Sequence, residues 1–352
     1  MSYEHGMSAL NLEMPEKIPR TEYSAHFHWE LVNKITGLAV DLQSSEEEKI
    51  DASRKFMKAW DYGLFWNINP YDKKFGNKRT KMGHAVYQQN GVDFSDKTEV
   101  FIEDPEDVYE VDFYETYGVR DKNQLIAEFD QNYKKMVKEH SDMVNMTGIY
   151  TTCMSGLIEI LGWDILLTAA GIDNRAFGEF MNRYAEWNMQ YFEALAECES
   201  PVVMVHDDIV WTSGAFIAPD FYRTYVFPNL KKMLEPLHEK GKKVLFTSDG
   251  DYTQFVDDIA ACHVHGFVME PCTNMSYICE KYGKTHSIIG NADTRILLSG
   301  SKADIESEVK RCIHLGKKCP GYFMAVGNHI PPNTPVDNCM YYQEFYEKYS
   351  KR

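Results

Sequence analysis

The chain has no surplus of basic residues. Its 37 Lys and Arg stand against 53 Asp and Glu, for a formal net charge of −16. A phosphate backbone is held by clustered Lys and Arg, so nucleic acid is not the expected partner. No run approaches the roughly 18 apolar residues of a membrane span, so no membrane contact is expected either. The opening residues, MSYEHGMSALNLEMPEK, have neither a basic n-region nor an apolar stretch after it, and no export signal is expected. The eight cysteines include no C-x-x-C and no regular spacing, and read as reduced thiols in a cytoplasm. There is no G-x-S-x-G, no H-E-x-x-H, no P-loop, and no G-x-G-x-x-G between a strand and a helix. These absences count together against serine hydrolase, zincin, nucleotide-hydrolysing and nicotinamide-dependent chemistry.

What is present is a repeated order: an apolar run, a polar burst, then a helical pattern. KVLFTSDGD at 243–251 shows it most clearly, with Val244-Leu245-Phe246 breaking into Thr247-Ser248-Asp249-Gly250-Asp251. Strands are expected at 18–23, 63–67, 145–150, 202–205, 244–247, 267–269, 286–289 and 322–326. Helices are expected from the capping-box start Ser44-Ser45-Glu46-Glu47 to Trp60, then at 122–140, 155–170, 175–197, 219–240, 252–262, 301–315 and 336–349. Eight strands alternating with helices imply a parallel sheet, and about 350 residues fit one (β/α)₈ (TIM) barrel domain. The less regular stretch 69–120 reads as an insertion covering one mouth, with a hairpin at 84–88 and 99–102. It carries a basic patch of Lys73, Lys74, Lys78, Arg79 and Lys81. That patch reads as a solvated loop or as a contact for an anionic ligand tail or an acidic partner protein.

In a barrel the residues just after the strands meet at one mouth. That rule gathers Tyr23, Asn67, Tyr150, His206, Asp207, Asp208, Asp249, Glu270, Asn291, Asp293 and His329. Asp293, ahead of a helix, is equally well a cap. Carboxylates crowded in a partly dry pocket cannot all ionise, so one should keep its proton near neutrality and serve as a general acid. Such a mouth repels anions and favours neutral or cationic substrates. Trp66, Tyr71, Tyr87, Met154, Met204, Trp211 and Met269 are candidates for apolar walls.

Five segments, MSALNLEMPEKIPRTEY, VHDDIVWTSGAFIAPDFYRTYVFPNLKKM, VLFTSDGD, GNAD and GYFMAVGNHIPPNTPVDN, make the chain resemble the uroporphyrinogen decarboxylase superfamily. The resemblance runs over nearly the whole chain outside 69–120 and implies a (β/α)₈ barrel. The superfamily's decarboxylases carry an arginine-rich N-terminal segment, and IPRTEYSAHFHWE has one arginine. Its thiol-methylating members carry His-x-Cys-Gly where this chain has Thr247-Ser248-Asp249-Gly250. The nearest likeness is to the methyltransferase I components of bacterial, anaerobic aryl methyl ether O-demethylases of the veratrole type. That resemblance implies methyl transfer from a small aromatic methyl ether to cob(I)alamin on a partner corrinoid protein, and a homodimer is compatible with it. The cofactor is then cobalamin. The catalytic residues expected are Asp249, Asp207 or Glu270 as acid, with His206 and His329 orienting it. Tyr23, Asn67, Tyr150, Met204 and Asn291 are expected to hold the substrate. The group's zinc motif, Asp-x27-Cys-x39-Cys, matches Asp251, Cys279 and Cys319. Both cysteines, however, should lie at the far end of the barrel from Asp251, roughly 13 Å away at about 3.3 Å per strand residue. Zinc ligands lie within about 2.3 Å of the metal. A decarboxylase of a small substrate, a methylamine-type donor and a non-catalytic corrinoid-binding barrel are the alternatives.

Overall fold

The eight apolar runs become the staves of one ring. A computed structural model describes residues 2–67, 74–80 and 101–352. Its strands are β1 (Leu64–Phe65), β2 (Val144–Asn145), β3 (Thr147–Ile149), β4 (Val202–His206), β5 (Val210–Trp211), β6 (Gly214–Ala215), β7 (Lys243–Ser248), β8 (Gly266–Met269), β9 (Ser287–Ile289) and β10 (Tyr322–Phe323). A continuous parallel ladder runs β3-β4-β7-β8-β9-β10. β1 pairs in parallel with β2, which leads into β3 across Met146. Arg20 forms parallel bridges to Tyr62 and to Met324, just beyond β10. The pairings therefore pass through eight parallel segments and return to Arg20, as the expected (β/α)₈ barrel requires. β5 and β6 form a small antiparallel hairpin after β4.

The inside of the ring is a packed plug. Leu64, Val144, Met146, Val202, Met204, Leu245, Val268, Ile289, Phe323 and Ala325 form one buried cluster. Alternation along each strand puts these on the inner face and their neighbours against the helices. Helix Ser2–Leu10, which sequence patterning missed, adds Ala9 and Leu10 to the plug. Lys243 Nζ, at the start of β7, donates to Leu10 O at 3.0 Å. The N-terminal helix therefore closes the end of the barrel opposite the strand C-termini.

The outer helices start where their caps say. Ser45 accepts from Glu48 N, and Glu48 returns a bond to Ser45 N, so helix Glu46–Ala59 has a full capping box. The pattern at 219–240 is realised as Pro219–Phe221, a π-helical stretch Tyr222–Val226, and Phe227–Glu239. The pattern at 252–262 yields a single turn Thr253–Phe255 and the short helix Val256–Ala260.

Two sequence expectations need correction. Helix Met154–Ile172 does have the length and apolarity of a membrane span, but most of it is buried inside the protein. Gly162, at φ 71° and ψ 170°, breaks its helical backbone. The basic patch is not a uniformly solvated loop in its described part: Lys74 is buried, Arg79 is half-buried and Lys78 stays exposed. Lys74 is 1% exposed, and its ammonium donates to Thr151 O (3.1 Å), to Thr151 Oγ1 and to Asn188 Oδ1. Arg79 pairs with the buried Glu159, and Lys78 donates to Thr116 O at 3.3 Å. These bonds clip 74–80 to the barrel wall. Phe75, Ile102, Val108, Phe113 and Tyr117 extend the clip by entering the main core. Lys73, Lys81, Tyr71, Tyr87 and the expected hairpin, except Phe101–Ile102, lie outside the described residues.

Candidate active site

The inward alternation that builds the plug continues upward into a polar mouth. Met204 is inward and fully buried in the plug, so His206, two residues on, stands above it at the end of β4. Leu245 is likewise inward, which places Thr247 and then Asp249 on the same face. Val268 leads to Glu270 in the same way.

Three of these side chains converge. His206, Asp208 and Asp249 each offer a nitrogen or oxygen within 4.8 Å of the others, the sole such group of His, Cys, Asp or Glu among the described residues. His206 Nε2 lies 3.4 Å from Asp208 Oδ1, and Asp249 N donates to the same oxygen at 3.0 Å. Glu270 flanks them. Its Oε2 accepts from Gly250 N at 2.8 Å and its Oε1 from Asn328 Nδ2 at 2.6 Å. Asn328 Oδ1 in turn accepts from His329 N at 2.8 Å. A chain of short bonds thus ties the ends of β7, β8 and β10 together.

Asp249 keeps more than a third of its surface open, yet it stands deep within the ring of strands. Enclosure by protein pushes its carboxyl up to about 7, helped by Asp208 and Glu270 and opposed by His206. It therefore exchanges a proton near neutrality while remaining reachable from the mouth. Tyr150 packs its ring against His206 at 4.9 Å, and burial with Asp249 and Asp208 nearby raises it to about 12. Tyr23 stands edge-on to Trp66 at 5.0 Å and faces His329 at 6.2 Å. Burial lowers His329 to about 4, so its imidazole is neutral at pH 7.

Other expected residues are held by bonds of their own. Asp207 is fully buried and accepts from the backbone N–H of Cys153, Met154 and Ser155 at 3.2, 2.7 and 2.8 Å. It caps the start of helix Met154–Ile172. Burial raises it to about 7 against those bonds. Asn291 is locked by bonds to Glu270 O, Thr273 O and Arg311. Asn67 Nδ2 donates to Met146 O at 3.4 Å. Asp293 caps helix Thr294–Ser299 and pairs with Arg295. Asp251 accepts from Thr253 N and Thr253 Oγ1. Asp208 was gathered at the mouth from sequence but given no role, and Asn328 and Thr247 were not singled out. The doubled Asp207-Asp208 after a strand was the available signal, since alternation sends the two to opposite sides.

Zinc ligands about 2.1 Å from the metal stand about 3.4 Å apart in a tetrahedron. His206 Nε2 and Asp208 Oδ1 already have that separation, and Asp249 lies beside them. One imidazole and two carboxylates are a suitable donor set for zinc with an open position. The motif residues Asp251, Cys279 and Cys319 do not fit one ion. Cys319 Sγ lies 3.9 Å from Cys279 O, just ahead of β10 and so away from the mouth, whereas Asp251 follows β7.

The profile of the family described as Uroporphyrinogen decarboxylase (URO-D) matches residues 98–349. A uroporphyrinogen decarboxylase of Syntrophotalea carbinolica is 25% identical over 165 residues, 47% of this chain and 46% of its own length. One from Carboxydothermus hydrogenoformans is 25% identical over 169 residues, 48% and 47% of the two chains. The chain thus spans about half the length of the curated relatives it matches. A solved methyltransferase from Methanosarcina mazei superposes with a TM-score of 0.64 at 15% identity, covering 99% of this chain and 98% of that one, which is a likeness of fold. With the profile covering most of its length, the chain belongs to the uroporphyrinogen decarboxylase (URO-D) family.

Proposed function

We propose that the protein is a corrinoid-dependent methyltransferase that takes a methyl group from a methoxylated aromatic. The observation that carries this reading is the character of the mouth. Asp249 and Glu270 make no ion pair with Lys or Arg among the described residues. The lone arginine of the N-terminal segment, Arg20, is fully buried and pairs with Glu22 at 2.9 Å. A polycarboxylate would therefore meet carboxylates that no arginine pairs with among the described residues, which disfavours decarboxylation of a tetrapyrrole acid.

A methyl ether needs the reverse. A phenolate leaving group has a conjugate-acid pKa of about 10, like tyrosine, and departs more readily when protonated. Asp249, with its proton held to about pH 7 and its carboxyl open to the mouth, is the acid. Asp208 and His206 set its charge environment from one side and Glu270 from the other. Asn328 and Gly250 fix Glu270 in place. Trp66 and Tyr150 wall the ring and keep the methyl carbon directed out of the mouth. Cob(I)alamin on a partner corrinoid protein would supply the nucleophile. A zinc ion held by His206, Asp208 and Asp249 would supply the same polarisation of the ether oxygen as a Lewis acid.

The negative mouth, walled by Tyr23, Trp66 and Tyr150, supports a methylated ammonium donor as the second reading. The protein is to be mixed with cob(I)alamin on its carrier and a panel of methoxyarenes and methylamines, and the spectrum followed for methylcobalamin. Turnover with methoxyarenes is the expected result, and turnover with amines alone would favour the second reading. No spectral change with any donor would sink both. Carbon dioxide release without a corrinoid would establish the decarboxylase alternative.

A further inference from the structure

Cys279 and Cys319 do not share an ion with Asp251, but they stand against each other. Cys279 is in the last turn of helix Met275–Tyr282, and Cys319 comes three residues before β10. They are 40 residues apart in sequence, yet their thiols are in hydrogen-bond contact, and Cys319 Sγ lies 3.9 Å from Cys279 O. Gly283 makes room for this approach, since a Cβ there would run into both Cys319 Sγ and Cys279 O. A disulfide requires two sulfurs that face each other, and these do.

The pair also differs from the other six thiols in access and in charge. Cys153, Cys198, Cys262, Cys312 and Cys339 are buried, whereas Cys279 is partly open. Cys272 is partly open too, but its sulfur stands 3.9 Å from Glu270 Oε2, and a carboxylate beside a thiol holds the thiolate back. Cys319 has the opposite setting. Lys317 and Lys318, both exposed, precede it, and Arg352 Nη2 donates to Cys319 O at 2.8 Å. Cations beside a sulfur favour the thiolate, the form that attacks a disulfide. They also draw in an anionic reagent, against the net −16 of the whole chain. The pair lies at the end of the barrel away from Asp249, because Cys319 precedes β10 and Asp249 follows β7.

We propose that Cys279 and Cys319 form a redox-active dithiol that a small anionic disulfide converts to a protein disulfide. Cys279, the open member, attacks one sulfur of the reagent as a thiolate. The reagent's S–S bond breaks and one half leaves as a thiolate. Cys319 then attacks Cys279 Sγ, the bond between them forms, and the second half leaves. Two protein thiols are oxidised, the reagent is reduced to two thiols, and these take the two protons that the cysteines gave up. The proposal stands apart from the methyltransferase reading and is tested without any corrinoid. The full chain is reduced, freed of reductant without oxygen, and incubated with oxidised glutathione. Free thiols are then alkylated and the protein is mapped by mass spectrometry, with the metal content of the reduced chain measured in parallel. The wild type is expected to lose two alkylatable thiols, to yield a linked Cys279–Cys319 peptide and to melt a few degrees higher, because a 40-residue loop is closed. Cys319→Ser, which lacks the closing thiol, is expected to hold a glutathione adduct at Cys279 about tenfold or more above the wild type. Cys279→Ser is expected to give neither link nor adduct at Cys319, and Cys272→Ser to form the link as the wild type does. No linked peptide in excess oxidant would overturn the proposal. So would a link between other cysteines, or one zinc per reduced chain that is lost in Cys279→Ser and Cys319→Ser.

Discussion

Two sets of acidic groups in this barrel are treated in opposite ways. Glu22 is fully buried and has every need met: Arg20 Nη2 at 2.9 Å, Tyr342 Oη at 2.9 Å and Val326 N at 3.0 Å. Arg20 is further held by Gln343 and by the rings of Trp60, Tyr342 and Tyr346 at 4.3, 5.0 and 4.6 Å. This network closes the ring where strand pairing is thinnest, at the bridges of Arg20 to Tyr62 and Met324. At the mouth, Glu270 accepts from Gly250 N and Asn328 Nδ2, and neither it nor Asp249 pairs with a Lys or Arg among the described residues; His206 supplies the opposing influence on Asp249. A buried charge with its partner holds structure together, whereas crowded charges without one store a readiness to take a proton or a cation.

Substitutions at the two places should therefore move different quantities. The largest effect is expected at the closure. Glu22→Ala leaves Arg20 buried without its counter-charge and should lower unfolding free energy by about 3–5 kcal/mol in a denaturant titration. Asp249→Asn should do the reverse: methyl transfer falls about 10²- to 10⁴-fold, while the melting temperature is unchanged or higher because repulsion is relieved. A stability loss at Asp249 as large as that at Glu22 would erase the distinction.

pH should sharpen the contrast next. Asp249 is an acid only while protonated, so transfer should decline as pH rises through about 7, and Asp249→Asn should abolish that limb of the profile. The stability effect has a definite sign. Asp207 and Asp249 titrate near 7 when folded and near 3.9 when unfolded. Between those values the native state binds more protons, so these two groups make stability fall as pH rises from about 4 to 7. Melting curves across that range should show a shallower fall in Asp249→Asn. The smallest effect is expected at Lys74, a buried base bound only to neutral oxygens. Lys74→Met should cost about 1–2 kcal/mol by leaving Thr151 and Asn188 short of a donor.

The sequence was legible wherever a rule acts over a few residues. Several strand runs end within a residue or two of where apolar patterning stops, as at 202–205 against Val202–His206, whereas 322–326 is a strand only at Tyr322–Phe323 and 18–23 pairs only through bridges at Arg20. The capping box at Ser45 and the cap at Asp293 follow from side chains reaching their own next turn. Helix Ser2–Leu10 escaped because its apolar residues, Ala9 and Leu10, answer to a barrel floor that local periodicity does not record. Lys74 escaped for the same reason, since its partners Thr151 and Asn188 are 77 and 114 residues away.

The chain by itself determined that acidic and imidazole side chains would follow the strands, because alternation and strand ends are short-range properties. Only the tertiary structure decided their roles. It turned Asp207 outward onto a helix N-terminus 52–54 residues back, and it brought Asp208 to His206 and Asp249. It also buried Tyr23 Oη without a hydrogen bond. A group's proton affinity and its bonds depend on what the fold packs beside it, and those neighbours come from other strands, distant in sequence.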